Sequence, residues 1–264
     1  MAGWRCALLP QRAKAHTTAI SLPSLMSQAG PKAASTAAFL CCVRRLRACG
    51  MSFAMARVMS MDSLIRQSAA SSSVISLGGG LPAPELFPRK RLTDAFMTAM
   101  RDPTCAALQY DWPEGQGCLR EWVAQRLRQR GARVERSDVI ITAGAQQGIA
   151  LAAHHLLPAG ARVRVAAETY PAALDLFRRR NAELRIDDEA ADCVYFMDGI
   201  GNPHGLVPDA RQRAHVVAEG LPLIVDEAYA ELSFDGSRLR PLSADAPDRV
   251  WHIGTLSKTP CPGT

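Results

Sequence analysis

The chain has 264 residues, 48% of them apolar and 21% charged, which is enough apolar material for a sizeable core and too much for a disordered chain. Its net charge of +6 is unevenly placed: residues 1–50 hold Arg5, Arg12, Lys14, Lys32, Arg44, Arg45 and Arg47 and no acid, which leaves 24 basic against 25 acidic residues in the rest. The body is close to neutral, and this argues against nucleic acid or an acidic membrane surface as its partner.

The basic stretch is rich in Arg, Ser and Ala, and its one apolar run, "AASTAAFLCCV", is too short to span a bilayer. Residues 1–60 read as a basic disordered tail, either sequence upstream of a true start at Met51, Met55, Met59 or Met61, or an organellar transit peptide. Arg44, Arg45 and Arg47 stand where a secretory signal would need small residues. Eight cysteines occur, four of them in this tail, with no C-x-x-C and no zinc-like Cys/His spacing. They read as reduced thiols, and no metal site is expected.

Downstream, "SAASSS" reads as a linker, and "VISLGGGLPAPELFP" has too much Gly and Pro for regular structure. Helices are predicted over 89–101 and 118–131, the second from Leu119, Trp122, Val123 and Leu127 at helical spacing. A regular alternation follows. Strands are predicted at 138–144, 161–168, 192–197, 222–229 and 249–256, and helices at 145–157, 171–182 and 208–220. Adjacent His154 and His155 project about 100° apart on a helix and cannot share a metal. Strands alternating with helices imply βαβ units, a mostly parallel sheet and a three-layer α/β/α arrangement. Such sheets bind ligands beyond the carboxyl ends of their strands, so the polar residues just past those ends carry the functional question.

Five strand ends are notable. "TAGAQQG" runs from a strand through Gly144 into a helix start, either an ordinary turn or an anion cradle built from backbone N–H groups. Tyr170 in "ETYPAAL" either packs or roofs a flat ring. Asn202 in "GNPHG" caps a turn or offers its amide to a ligand. Asp226 closes the apolar run of "LIVDEAYAEL", with Tyr229 three residues on; it caps the next helix or meets a cation. Lys258 follows "VWHIGTLS". Taken together, a cradle, a lid, an amide, a carboxylate with a tyrosine, and a lysine match one ligand, pyridoxal 5'-phosphate. That cofactor requires a lysine for its Schiff base and a carboxylate at its ring nitrogen.

Here the sequence resembles a known family. "GNPHG", "VDEAYAEL" and "GTLSKTPCPG" resemble the signature turns of class I/II aminotransferases, the fold type I pyridoxal-phosphate enzymes. "LGGGLPAPELFP", "LQYDWPEGQGCLREWVA" and "ITAGAQQGI" are similar to the branch containing 2-aminoadipate and kynurenine aminotransferases and the aminotransferase-like half of MocR regulators. The resemblance implies that Lys258 is the internal aldimine lysine and proton carrier, and that Asp226 pairs with the pyridinium nitrogen. It implies that Asn202 and Tyr229 bond the phenolic oxygen, and that Tyr170 stacks on the ring. Gly144, Ala145 and Gln146 hold phosphate, with hydroxyls from Thr255 and Ser257. Tyr110 reaches a partner subunit's phosphate, implying a homodimer, and Gly79 and Gly80 cover the substrate beside Asn202. Amino acid and 2-oxo acid are the implied substrates, and the cytoplasm is the implied setting.

The sequence departs from the family pattern in three turns. Ala143 and Ala145 flank Gly144 where hydroxyl residues are usual, His204 replaces a Thr-like residue, and Pro260 replaces an apolar one. The resemblance also implies that residues 61–110 form an N-terminal segment and 111–264 an incomplete cofactor-binding large domain. On this reading the chain stops before the family's phosphate arginine and its small C-terminal domain, which carries the arginine for the substrate carboxylate. A MocR-type regulator and a non-catalytic fragment are the alternative readings.

Overall fold

The computed structural model describes residues 80–104, 106–186 and 190–262, all within the compact unit Leu77–Thr264. The tail over 1–60 and Gly79 lie outside the described residues.

Among the described residues, five α-helices and five strands organise this unit: α1 (Arg89–Arg101), α2 (Gly117–Gln129), α3 (Ala145–Leu156), β1 (Arg162–Val165), α4 (Pro171–Arg179), β2 (Glu183–Ile186), β3 (Cys193–Met197), α5 (Ala210–Ala218), β4 (Leu223–Asp226) and β5 (Val250–Ile253). The strands form one parallel sheet in the order β2-β1-β3-β4-β5. After β1 the chain steps outward to β2; after β3 it steps the other way. The carboxyl ends therefore open a crevice where the direction reverses, between β1 and β3.

Local chemistry sets the helix starts. Pro171 occupies the first turn of α4, where its missing N–H costs nothing. Asp209 and Gln212 form a reciprocal capping box on α5, at 2.7 and 2.9 Å. Helices cover both sheet faces. On one face Ile149, Ala152 and Ala153 of α3 and Ala173 and Phe177 of α4 pack on Val163, Val165, Cys193, Tyr195, Ile224 and Ile253. On the other, Val216 of α5 and Leu242 meet Val194, Leu223 and Val225. Each fully buried side chain such as Phe177 contributes about 2–3 kcal/mol of burial free energy. The expected three-layer α/β/α architecture with a parallel sheet is thus present.

Two elements differ from expectation. The predicted strand at 138–144 joins no ladder among the described residues: the Ile141 amide bonds to the Glu114 carbonyl at 2.9 Å and its side chain packs on Gly115. The run is spent on the turn that precedes α2. Conversely, β2 was not expected. It is an edge strand with an exposed-to-intermediate pattern, and its short Glu-Leu-Arg-Ile alternation adjoins the predicted end of a helix. His155 is exposed on α3, its ring 4.9 Å from that of Trp251.

Candidate active site at the strand ends

Asp226 is the last residue of β4, and every residue of that strand is buried. Being interior on the sheet, its carboxylate must find partners on neighbouring elements. Tyr195, on the adjacent strand β3, donates its hydroxyl to Asp226 Oδ2 at 2.7 Å. The Ala228 N–H donates to Oδ1 at 3.0 Å. Burial pushes the Asp226 carboxyl above the usual carboxylate range, while the tyrosine hydroxyl and the amide pull it down. A cation seated against this carboxylate would relieve the cost of burying it.

Tyr229 lies in the turn after β4, where burial raises its phenol and Asn202, in the turn after β3, bonds to it. The Lys258 ammonium sits 5.4 Å from the Tyr229 ring centre. It donates to the Gly80 carbonyl at 3.0 Å. Gly80 has φ +57°, and a Cβ placed there would lie 3.3 Å from the Tyr229 hydroxyl. Lys258, Tyr229, Asn202, Gly80 and Asp226 therefore form one neighbourhood drawn from three strand ends and the segment before α1.

A second group lies at the start of α3. Gly144 caps the helix with φ +118° and ψ 165°, a region open essentially to glycine alone. Nothing lies within 4 Å of where its Cβ would point, and the first N–H groups of α3 have no partner within the helix. Gln146 donates to the Tyr170 hydroxyl at 2.8 Å, which ties the α3 start to the turn after β1. Ala145 packs half-buried against the core. Past β5, the Thr255 and Ser257 hydroxyls bond at 3.1 Å. Tyr110 stands apart, 98% exposed, and touches none of these groups. His204, at one of the departures from the family pattern, pairs with Glu168 at 3.0 Å.

Tyr195 and a buried polar group on the sheet's other face carry no motif in the sequence. Glu227 is paired with Arg130 at 2.5 Å and lies 3.5 Å from His252 Nδ1. Arg213 holds Asp198. Burial pushes Glu227 and Asp198 above the carboxylate range against the pull of their arginines, and it drives His252 down to about 4, so this imidazole is neutral near pH 7. Tyr195 lies on the strand paired with β4, two residues short of the strand end and on the Asp226 face, a relation that only the sheet order reveals.

The residues fit a phosphorylated, cationic ring: a helix start for the anion, a buried carboxylate for the cation, and a lysine beside Tyr229. Residues 90–260 match the family model for class I and II aminotransferases. The chain belongs to this family. The 2-aminoadipate transaminase of Thermus thermophilus is 33% identical over 215 residues, covering 72% of this chain and 53% of the relative. An uncharacterised HTH-type transcriptional regulator of Bacillus subtilis is 28% identical, covering 77% of this chain and 46% of the regulator. Among solved structures, kynurenine aminotransferase from Pyrococcus horikoshii, crystallised with PMP, is 28% identical with a TM-score of 0.70, over 78% of this chain and 58% of that one. This aminotransferase-family chain thus spans about half the length of the curated relatives it matches. Among its described residues, no helix is long and apolar enough to cross a membrane.

Proposed function

We propose that this chain carries the cofactor-binding part, residues 111–264, of a pyridoxal-phosphate-dependent aminotransferase that moves an amino group from an L-amino acid to a 2-oxo acid. The observation that carries the reading is the meeting of Lys258, Tyr229, Asn202 and buried Asp226 past the ends of adjacent parallel strands. The family match over 90–260 supports it.

Pyridoxal phosphate, when bound, supplies an electrophilic carbonyl and an electron-withdrawing ring. The protein's groups take complementary roles. Asp226 holds the ring N–H, and the Asn202 amide and Tyr229 hydroxyl hold the phenolic oxygen. The Lys258 amine binds the cofactor and, once released, carries a proton from the substrate Cα. Amides at Gly144, Ala145 and Gln146 cradle the phosphate, joined by the Thr255 and Ser257 hydroxyls. Tyr170 stacks on the ring. Residues 61–110 cover the substrate through Gly79 and Gly80 and carry Tyr110 to the phosphate of a second subunit in a homodimer. Free thiols at Cys118 and Cys193 are in keeping with the cytoplasm.

Incubation with pyridoxal phosphate, borohydride reduction and peptide mass spectrometry test the reading. A pyridoxyl group on Lys258, lost in Lys258→Ala, is expected; labelling spread over surface lysines overturns it. Conversion of bound cofactor by amino-acid donors then separates an aminotransferase from a regulator or inert fragment using the same site.

A further inference from the structure

We propose that Tyr195 is a positioning residue for the cofactor site: its hydroxyl keeps the Asp226 carboxylate ionised and turned so that its remaining lone pairs face the crevice. This rests on the pyridoxal-phosphate reading above. Tyr195 pairs in register with Ile224, two residues before Asp226 and on the same sheet face. Its ring therefore reaches along the sheet floor to the strand end, and the 2.7 Å contact is to Oδ2.

The ring is fixed from below. Phe177 of α4 meets it edge-on, with centres 5.4 Å apart and planes at 66°, and both residues are buried. The Ala228 amide holds the other oxygen at 3.0 Å. Each carboxylate oxygen thus receives one donor and keeps lone-pair capacity for a further one. Burial and the neighbouring carboxylate both raise the Tyr195 phenol, so it stays a donor throughout the working range.

The need for such a donor follows from the surroundings. Asp226 lies among few cations. Glu227 and Tyr229 follow it, His252 on β5 points to the opposite sheet face beside Glu227, and Tyr170 stands near Tyr195 beyond β1. Burial by itself pushes the acid toward its protonated form and so weakens its hold on a ring N–H. A hydrogen bond to a charged acceptor is the strong kind, and here it favours the ionised form.

The test uses the full chain labelled with carboxyl-13C aspartate, with the Asp226 resonance assigned by its loss in Asp226→Asn. In Tyr195→Phe the Asp226 titration midpoint is expected to rise by about 1–2 pH units, and pyridoxal phosphate to bind roughly tenfold more weakly near neutral pH. An unchanged midpoint overturns the proposal while leaving the cofactor reading intact if wild type binds. A shifted midpoint with no binding by wild type sinks the cofactor reading and leaves the hold on the carboxylate standing. Should far-UV circular dichroism show Tyr195→Phe unfolded, Tyr195→3-fluorotyrosine keeps the ring and strengthens the donor. The midpoint must then fall, and one that stays put overturns the proposal.

Discussion

The Lys258 ammonium donates to the Gly80 carbonyl at 3.0 Å, joining segments 178 residues apart. The contact places the start of the described chain against Lys258, past the end of β5. Gly80→Ala adds a Cβ 3.3 Å from the Tyr229 hydroxyl and 3.8 Å from Lys258 Nζ, on a backbone at φ +57°. We expect a stability loss of about 1 kcal/mol from the left-handed backbone. We also expect slower pyridoxal-phosphate labelling of Lys258, followed by borohydride trapping at timed intervals. Labelling at the wild-type rate would show that Gly80 does not border the amine.

Gly144 differs because the space beside it is open. Gly144→Ala meets no neighbour, so its cost is backbone strain alone, about 1–3 kcal/mol in this region of φ and ψ. Chemical denaturation should register that loss. Inorganic phosphate should protect wild type more than the variant, because the start of α3 has to distort to relieve the backbone strain.

Arg130 and Glu227 form a pair with 11% and 2% side-chain exposure. Arg130→Met leaves a buried carboxylate without its cation and should cost about 3–5 kcal/mol by urea titration. Arg130 also donates to the Leu239 carbonyl at 2.9 Å, so part of the loss is the release of that loop. Asp94→Ala, which removes an exposed partner of Lys90, should leave the urea midpoint nearly unchanged. Equal effects from the two substitutions would contradict the burial of the first pair.

His252 gives the protein an acid-sensitive term. Its imidazole falls from an ordinary 6.5 to about 4 on folding. A base with a depressed folded value favours the folded state above its unfolded value and loses that contribution as pH falls. The contribution is present above pH 6.5 and drains away between about 6.5 and 4, by up to about 3 kcal/mol. Asp198, Asp226 and Glu227, with raised values, slope the opposite way. The measurable quantity is therefore the difference between wild type and His252→Gln, whose stability should depend less steeply on acid over that window. Parallel stability-versus-pH curves would refute the assignment.

Much of this was legible beforehand because the informative signals are local. Gly144, Pro171 and Asp226 each end or begin an element, and punctuation of that kind is written in single residues. The cofactor set could be read from the order of strand ends, without knowing the sheet order. What escaped was relational. The run at 138–144 has strand composition, yet its ladder was replaced by a bond to Glu114 that no local pattern announces. Tyr195 resembles any apolar strand residue until β3 is set beside β4. Arg130 and Glu227 lie 97 residues apart, and nothing in either segment names the other.

Cys193 opens the strand that carries Tyr195, is wholly buried, and has its thiol pushed up to about 12 by burial. It is therefore inert toward thiol reagents while β3 stays seated, whereas exposed Cys118 is accessible in the folded protein. Alkylation at 193, resolved from the other sites by peptide mapping, becomes an internal clock for how often the sheet opens. Any ligand that fastens onto Asp226 should slow that clock without touching the sulfur.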